Sequence, residues 1–270
     1  MARNDDFFLR RWTAYYGSRL GEENLFVFLD GKDQPLPDWC PKAHIMPIDK
    51  VQGQVAQTDR LRINIMSDYA AGLFAQGYDL VLGCDADEFI IPDPALWKGL
   101  GEYLQQARID GSISALGIDV GQRTSEEGDI NGEGSFLTQR HYAEIGTRYT
   151  KACIISEPLR WGSGFHRVKG RNLHIARDLY LFHFGYFDLA RIRARFADKD
   201  RLAGGWERHL KKRVRTIRRC SSRKAHPWEP SVRFARLLQS VCRPIYALNK
   251  PAMLGISLIV RIPERFQNIV

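Results

Sequence analysis

The sequence predicts an α/β fold in which helices flank a mostly parallel, Rossmann-like sheet, with a basic helical region at its C-terminal end. Helical and strand patterns alternate over the first third of the chain, as in sheets whose parallel strands are joined by helices. The two clearest strand patterns are residues 24–29 and 78–82. They are dominated by the apolar runs 25–29 and 80–82, which is typical of strands buried on both faces. Acids follow both runs, and ligands of parallel sheets bind outside the carboxyl ends of the strands.

The other elements follow from local periodicity. Aromatic and aliphatic residues at helical spacing predict a helix over 6–20 and a second over 58–75, which ends at Gly77. The pattern then predicts helices at 94–107 and 187–200, and strands at 113–120, 149–155, 164–168 and 179–184. Residues 121–134 are rich in Gly, Glu, Asp and Ser, which indicates a polar loop.

Charge divides the chain into two regions. The 270 residues are 44% hydrophobic and 26% charged, ordinary globular values that exclude wholesale disorder. The net charge is +9, but residues 205–270 hold fifteen Lys and Arg against three acids, so the first 204 residues carry a net −3. We therefore expect one globular domain over 1–204 and a basic helical region over 205–270.

Cysteine usage and apolar runs bear on the cellular compartment. The five cysteines are widely spaced and form no Cys-x-x-Cys pair, which favours a reduced, cytosolic protein. Asn4, Asp5 and Asp6 interrupt any apolar start, so no signal peptide is expected. No apolar run approaches the roughly 20 residues of a membrane-spanning helix. The expectation is a cytoplasmic protein that can attach peripherally to the inner membrane face.

The sharpest local feature is the acid pair Asp85-x-Asp87. At the end of a strand, where the chain turns, both carboxylates can point at one place, and hard cations such as Mg²⁺ and Mn²⁺ prefer such oxygen ligands. The structural alternative is a solvated acidic turn that caps a following helix. The apolar run Leu80-Val81-Leu82 precedes the pair and Phe89-Ile90-Ile91 follows it, which favours a site anchored in the core.

Three segments carry a resemblance to a known family. Arg3-Asn4-Asp5-Asp6 leads into the first helix, Gln57-x-x-Arg60-x-x-x-Asn64 lies on the second, and Asp85-Ala86-Asp87-Glu88-Phe89 ends a strand. Together, over about residues 2–190, they resemble bacterial family 2-like glycosyltransferases of the Asp-x-Asp-Glu-Phe subgroup. Members usually have a full strand before the Arg-Asn segment, where this sequence has Met1 and Ala2.

The resemblance implies a GT-A fold that binds a nucleotide-sugar donor through Mn²⁺ or Mg²⁺. Asp85 and Asp87 would hold the metal, and Asp85 would also face the ribose of the nucleotide. The remaining nucleotide contacts that it implies are Arg3, Asp5, Asp30 and Arg60.

Later residues of the chain complete this expected site. His183 lies amid apolar residues, and this pattern is compatible with a core histidine or with an additional metal ligand. The family tends to place a Lys and a His near 150–166, so Lys151 and His166 are expected beside the diphosphate, where positive charge stabilises the leaving group. For Arg160, surface charge is the favoured reading.

An inverting transfer also needs a general base for the acceptor hydroxyl. Asp119, at the end of the strand after the acid cluster, is the preferred candidate. Glu126, Glu127 and Glu144 are alternatives, and a retaining mechanism needs no such base.

The basic region suggests a further partner. Nine Lys and Arg cluster between Arg208 and Lys224, interleaved with apolar residues, which fits a helix on an anionic membrane, with 252–260 as an interfacial anchor. A solvated helix face is the next alternative. Nucleic acid ranks last because no RNA-binding motif is present.

The expected function is therefore metal-dependent transfer of a sugar from a nucleotide-sugar to a polysaccharide or lipid-linked acceptor. Two alternatives from other classes stay open: a metal-dependent phosphoryl transferase or phosphodiesterase, and a non-catalytic module that binds membranes or nucleic acid.

Overall fold

The computed structural model describes residues 1–51, 55–170, 173–197 and 207–270. It has a mixed α/β fold whose first part alternates helices and strands as the sequence predicts. In chain order the helices and strands are α1 Asp6–Leu20, β1 Phe26–Asp30, β2 His44–Ile48, α2 Val55–Ala75, β3 Val81–Leu82, β4 Glu88–Pro92, α3 Leu100–Gln106, β5 Ser112–Val120, β6 Tyr142–Ile145, β7 Lys151–Ile155, β8 Ile175–His183, α4 Leu189–Ala197, α5 Glu207–Ser222, α6 Trp228–Val241 and β9 Leu258–Arg261.

The strands form two sheets. β1 and β2 pair in parallel as a small sheet, and Ala2 forms a parallel bridge with Leu29 on the edge of β1 that β2 leaves open. The large sheet has β5 at its centre. β8 and then β4 lie on one side of β5, and β7 and β6 lie on the other side, extended by β3 and β9.

A mostly parallel sheet is not confirmed for the described strands. Within the large sheet, β5 and β8 pair in parallel, whereas the β3–β7, β4–β8, β5–β6, β5–β7 and β6–β9 pairs are antiparallel. The prediction rested on the helix–strand alternation of the first third of the chain. β6 and β7 follow β5 with no α-helix between them, and connections without a helical crossover allow both to pair with β5 in antiparallel orientation.

Two segments differ from their predicted conformation. Residues 164–168 were expected as a strand, but Ser163–Phe165 form a 3₁₀ turn in which Gly164 and Phe165 have positive φ angles of 60° and 59°. The second half of the basic region was expected to be helical, and it includes the strand β9. Ile259 and Val260 are buried in that strand, so the end of the expected anchor 252–260 belongs to the core.

The core is rich in aromatic side chains and extends into the C-terminal region. Trp228 at the start of α6 stacks on Phe182 of β8, and Phe266 packs against both rings. The expected boundary between residues 204 and 205 lies outside the described residues. In the described residues, no helix is long and apolar enough to cross a bilayer.

Candidate metal centre

Three neighbouring strands place polar side chains in one row across the large sheet. Glu88 of β4 is directly opposite His183 of β8, and His183 is directly opposite Asp119 of β5. Side chains opposite each other on paired strands project from the same face of a sheet. This register therefore brings together residues that are up to 95 positions apart in the sequence.

The connection between β3 and β4 adds Asp87 to this row. The connection is a tight turn, in which the Glu88 N–H donates to the Asp85 carbonyl at 3.1 Å. Phe184, directly after β8, holds the turn against that strand, because its N–H donates to the Asp87 carbonyl at 2.9 Å. Asp87, Glu88 and His183 each offer a ligand atom, and these atoms lie within 4.8 Å of one another. The two carboxylates suit either Mn²⁺ or Mg²⁺, and the imidazole favours Mn²⁺, so the cluster could hold a divalent ion.

His183 is oriented for such a role. Its Nδ1 lies 2.7 Å from Asp119 Oδ1, and the ring stacks on Tyr149 with 3.6 Å between the centroids. The Thr216 hydroxyl of α5 donates to Asp119 Oδ2 at 2.6 Å. Because the carboxylate accepts the Nδ1 proton, the lone pair is assigned to Nε2, on the side of Asp87. This is the arrangement by which proteins orient metal-binding histidines.

Gly185 keeps the space beside these ligand atoms open. A Cβ at this position would lie 2.3 Å from Asp87 Oδ2 and 2.7 Å from His183 Nε2. Those two atoms are themselves 3.7 Å apart, which is beyond hydrogen-bonding distance. The donor chemistry and the open space both fit a bound cation.

Lys151 balances part of the acidic charge. Its buried ammonium lies 2.8 Å from Asp85 Oδ2 and 2.6 Å from Glu88 Oε1. Desolvation opposes the charge on Asp85, but Lys151 outweighs it and lowers the pKa of that carboxyl to about 2. Burial raises the pKa of Glu88 to about 7, against the opposing effect of Lys151. For Lys151, burial lowers the pKa, but Asp85 and Glu88 more than offset this and raise it.

Asp119 is a buried partner of His183. It accepts hydrogen bonds from His183 and Thr216, and Arg148 Nη1 lies 3.8 Å from its Oδ2. These contacts favour a positioning role, and its expected role as general base stays a prediction.

The three alternative bases are engaged elsewhere. Glu126 accepts from the Tyr142 hydroxyl, Glu127 accepts from the backbone of Arg123 and His141, and Glu144 pairs with Arg219.

The expected nucleotide-binding residues lie mainly around the end of β1. Asp30 Oδ1 accepts the Val51 N–H at 2.9 Å, and its Oδ2 pairs with Arg62. Arg3 donates to the Asp30 carbonyl at 2.8 Å and also pairs with Asp33. The structure thus brings Arg3 and Asp30 together.

The other expected contacts are more dispersed. Arg60 is exposed on α2, and it is Arg62 of that helix that reaches Asp30. Asp5 precedes α1, and its carbonyl accepts the Leu9 N–H. His166 follows the 3₁₀ turn at Ser163–Phe165 and is half-buried. Arg160 pairs with Asp68 on the surface, as expected.

Sequence reasoning missed several contributors. Glu88 belongs to the metal-competent cluster, whereas the Asp85 carboxylate, expected as a ligand, bonds to Lys151. Asp59 of α2 lies near Asp85, and burial raises its pKa while Ser163 lowers it. Glu88 could have been predicted as a ligand, because it directly follows Asp85 and Asp87 in the sequence. Thr216, 97 positions from Asp119, gave no local signal.

A cavity of about 900 Å³ lies close to the acid turn. Apolar side chains of α1, β1, α2 and β3 line most of it, including Trp12, Phe28, Leu73 and Leu82. Glu88 and His183 are not among its lining residues. The cavity therefore borders the acid turn at Gly83, Cys84 and Ala86 but does not contain the metal-competent cluster.

No protein-family model matches this chain, and no curated protein matches it.

Proposed function

We propose that this protein is a metal-dependent glycosyltransferase of the GT-A type. It would transfer a sugar from a nucleotide-sugar to a polysaccharide or lipid-linked acceptor. One observation carries the proposal: the acid turn that resembles the Asp-x-Asp-Glu-Phe motif meets a histidine at a distance that leaves room for a cation. Asp87 Oδ2 and His183 Nε2 are 3.7 Å apart, and Glu88 completes the set.

In this proposal Asp87, Glu88 and His183 hold Mn²⁺ or Mg²⁺. The bound ion supplies positive charge for the diphosphate leaving group. Asp119 and Tyr149 keep the imidazole in its metal-competent orientation. A fixed ligand geometry avoids reorganisation when negative charge develops, and such preorganisation is often the largest electrostatic contribution to catalysis.

Lys151 has two proposed roles. Its contacts with Asp85 and Glu88 keep adjacent acids close together despite their mutual repulsion. Its charge also lies on the side of the acid turn where the diphosphate would bind, as the family resemblance implies. Arg3, Asp5, Asp30, Arg60 and His166 are retained as the proposed nucleotide contacts. Asp119 remains the proposed base for the acceptor proton in an inverting reaction, ahead of Glu126, Glu127 and Glu144.

Two-metal phosphoryl transfer is the less favoured alternative. Such sites hold two ions about 4 Å apart and need further converging acids. Among the described residues, one group of three potential ligands is found, at Asp87, Glu88 and His183. A single-ion site fits this group better.

A thermal-shift screen with nucleotides tests the proposal. UDP or GDP should raise the melting temperature only when Mn²⁺ or Mg²⁺ is present, because the diphosphate would bind through the ion. A donor screen, read by release of free nucleotide, then identifies the sugar. If neither metal nor nucleotide changes the melting temperature and no donor is consumed, the proposal is wrong and a non-catalytic binding module is favoured.

A further inference from the structure

Exposed apolar side chains are concentrated in one short stretch of the C-terminal region. Eleven large hydrophobic residues are exposed in the described chain, and eight of them fall within residues 234–256. We name these eight the C-terminal patch: Phe234, Leu237, Val241, Ile245, Tyr246, Leu248, Leu254 and Ile256. Monomeric proteins rarely expose apolar residues in such a concentration unless they form a contact surface.

The patch is built from three connected pieces. Phe234, Leu237 and Val241 follow helical spacing on the outer face of α6, opposite the buried residues of that helix. The next piece is the turn that carries Ile245. The Ala252 N–H donates to the Cys242 carbonyl at 3.1 Å, which holds the end of α6 against the segment that leads to the third piece.

The third piece is a turn with Leu254 at its tip. The Ile256 N–H donates to the Met253 carbonyl at 2.7 Å, and both central residues have positive φ angles, 49° for Leu254 and 80° for Gly255. Asn, Asp and Gly adopt this conformation readily, whereas leucine does so only against steric strain. Leu254 is nevertheless 75% exposed, so packing within the molecule does not explain its presence.

The patch stands on a fixed base. Ala247 and Met253 are buried beneath it, and Gln239 Nε2 of α6 lies 3.1 Å from the Met253 sulfur. The Asn249 side chain donates to the Val168 carbonyl at 2.9 Å, which ties the loop to the 3₁₀-turn region. The exposed side chains therefore project from an anchored loop.

The charged residues within the sequence span of the patch have one sign. Between Glu229 and Glu264 the sequence contains five cations and no acid. Arg233 is exposed beside the helical stripe, and Lys250 lies in the loop. Burial, and then repulsion from the charge of Arg167, lower the pKa of Lys250. Anionic phosphates would relieve this repulsion.

We propose that the C-terminal patch docks on an anionic lipid bilayer, with Ile245, Tyr246 and Leu254 inserted at the level of the headgroups. Apolar side chains rimmed by cations match an interfacial membrane contact, in which buried apolar area and attraction to anionic lipids act together. The contact lies on residues 234–256, downstream of the basic cluster between Arg208 and Lys224. The proposal is independent of the transferase activity, since its observations come from a different surface.

Vesicle co-sedimentation tests this proposal. The full chain should bind vesicles of phosphatidylcholine with phosphatidylglycerol, bind phosphatidylcholine alone more weakly, and lose part of its binding at high salt. The double variant Ile245→Ser/Leu254→Ser should weaken binding at least about ten-fold. The matched control is Leu36→Ser/Leu96→Ser, which removes two exposed leucines outside the patch (61% and 67% exposed). It should bind like the unmodified protein.

Three results would overturn the proposal. The first is that the unmodified protein does not sediment with either vesicle. The second is that the patch variant and the control variant bind equally well while circular dichroism shows that both are folded. The third is a dimer in sedimentation velocity that the patch variant abolishes, which would assign the patch to a second copy of the chain. Nucleotide-dependent thermal shifts are unaffected by any of these results and report on the metal centre separately.

Discussion

Two acids that end apolar strands have very different surroundings. Both carboxylate oxygens of Asp30, at the end of β1, have partners within the protein: one accepts the Val51 N–H and the other pairs with Arg62. Asp87, after β3, has its carboxylate 3.7 Å from His183 Nε2, and Gly185 leaves space beside both atoms. An acid after a strand indicates where a site can form. The surrounding donors decide whether the carboxylate holds the fold together or can take a cation.

The two strand ends also differ in how many cationic side chains compensate their acids. Arg62 matches Asp30 as a one-to-one pair. In the acid turn, Lys151 is shared by Asp85 and Glu88, and Asp87 is beside a histidine. Excess negative charge is costly in a buried site unless a cation compensates it. The acid turn therefore favours cation binding, whereas the end of β1 does not.

The largest expected effect is the loss of metal binding in Asp87→Asn. Asparagine keeps the shape of the side chain but removes the negative charge, so Mn²⁺ affinity should fall by at least about 100-fold. Calorimetric titration with Mn²⁺ measures the affinity, and donor consumption should fall with it. The variant should unfold at nearly the same urea concentration as the unmodified protein. Unchanged Mn²⁺ affinity would remove Asp87 from the ligand set.

The matching substitution at the other strand end should act on stability. Asp30→Asn leaves Arg62 without its carboxylate, which should cost about 2–3 kcal/mol, somewhat less than for a fully buried pair because Arg62 is partly exposed. Urea denaturation measures this, and Mn²⁺ affinity should stay within about two-fold. The control is Asp33→Asn, which breaks the exposed pair with Arg3 and should change stability little. Equal losses in the two variants would contradict the comparison.

Asp119→Asn tests the orientation of His183. An amide is a weaker acceptor for the Nδ1 proton, so the imidazole should lose its fixed tautomer and Mn²⁺ affinity should fall about 10- to 100-fold. Histidine NMR signals should report a changed tautomer, which a purely structural role would not require. A normal tautomer with abolished donor transfer would instead support Asp119 as the general base.

Gly185→Ala tests whether space at the centre matters. The new methyl group would lie 2.3 Å from Asp87 Oδ2, so a ligand must move, and Mn²⁺ affinity should fall about ten-fold. Gly72→Ala in α2 is the matched control, because a Cβ there meets nothing within 4 Å. It should raise stability by about 0.5–1 kcal/mol and leave Mn²⁺ affinity unchanged. Equal Mn²⁺ affinity in the two variants would mean that the space is not used.

The sequence predicted the parts of this structure that depend on local pattern. The helix at Asp6–Leu20 and the strand at Phe26–Asp30 are confirmed, because periodicity and apolar runs act over a few residues. The mixed α/β class is confirmed as well. The pairing of strands is long-range, and an apolar strand such as β8 carries no mark that it will pair in parallel with β5 and antiparallel with β4.

The candidate site was likewise predictable only where it depends on local sequence. The acid turn was singled out from its strand-end position, and His183 was predicted as either a core histidine or a metal ligand. The division of labour among the acids was not, because it depends on Lys151 bonding to Asp85, which leaves Asp87 and Glu88 beside His183. Thr216 and Gly185 act through contacts made only in the folded chain. The sequence shows which side chains can bind a cation, but the tertiary structure decides which residues each of them contacts.

The smallest expected effect concerns Glu144, which lies opposite Asp119 across β5 and β6. Burial, and then the charge of Asp119, raise its pKa above the ordinary 4.5, while Arg219 opposes the shift. The folded protein then holds this proton more tightly than the unfolded chain does. The stability that Glu144 contributes is therefore complete below pH 4.5 and is lost as the pH rises through the raised pKa. Relative to the unmodified protein, Glu144→Gln should gain stability as the pH rises across this window.

Glu126→Gln is the control with the opposite sign. The hydrogen bond from Tyr142, and to a smaller extent Arg123, lower the pKa of Glu126 against a small desolvation effect. Its contribution is present above the ordinary pKa and is lost as the pH falls, so this variant should lose stability relative to the unmodified protein as the pH rises. Urea denaturation from acid to neutral pH gives both slopes. Slopes of the same sign would show that the surroundings of Glu144 are hydrated. The row of side chains beside Asp119 would then lack the low dielectric that strengthens a buried cation site.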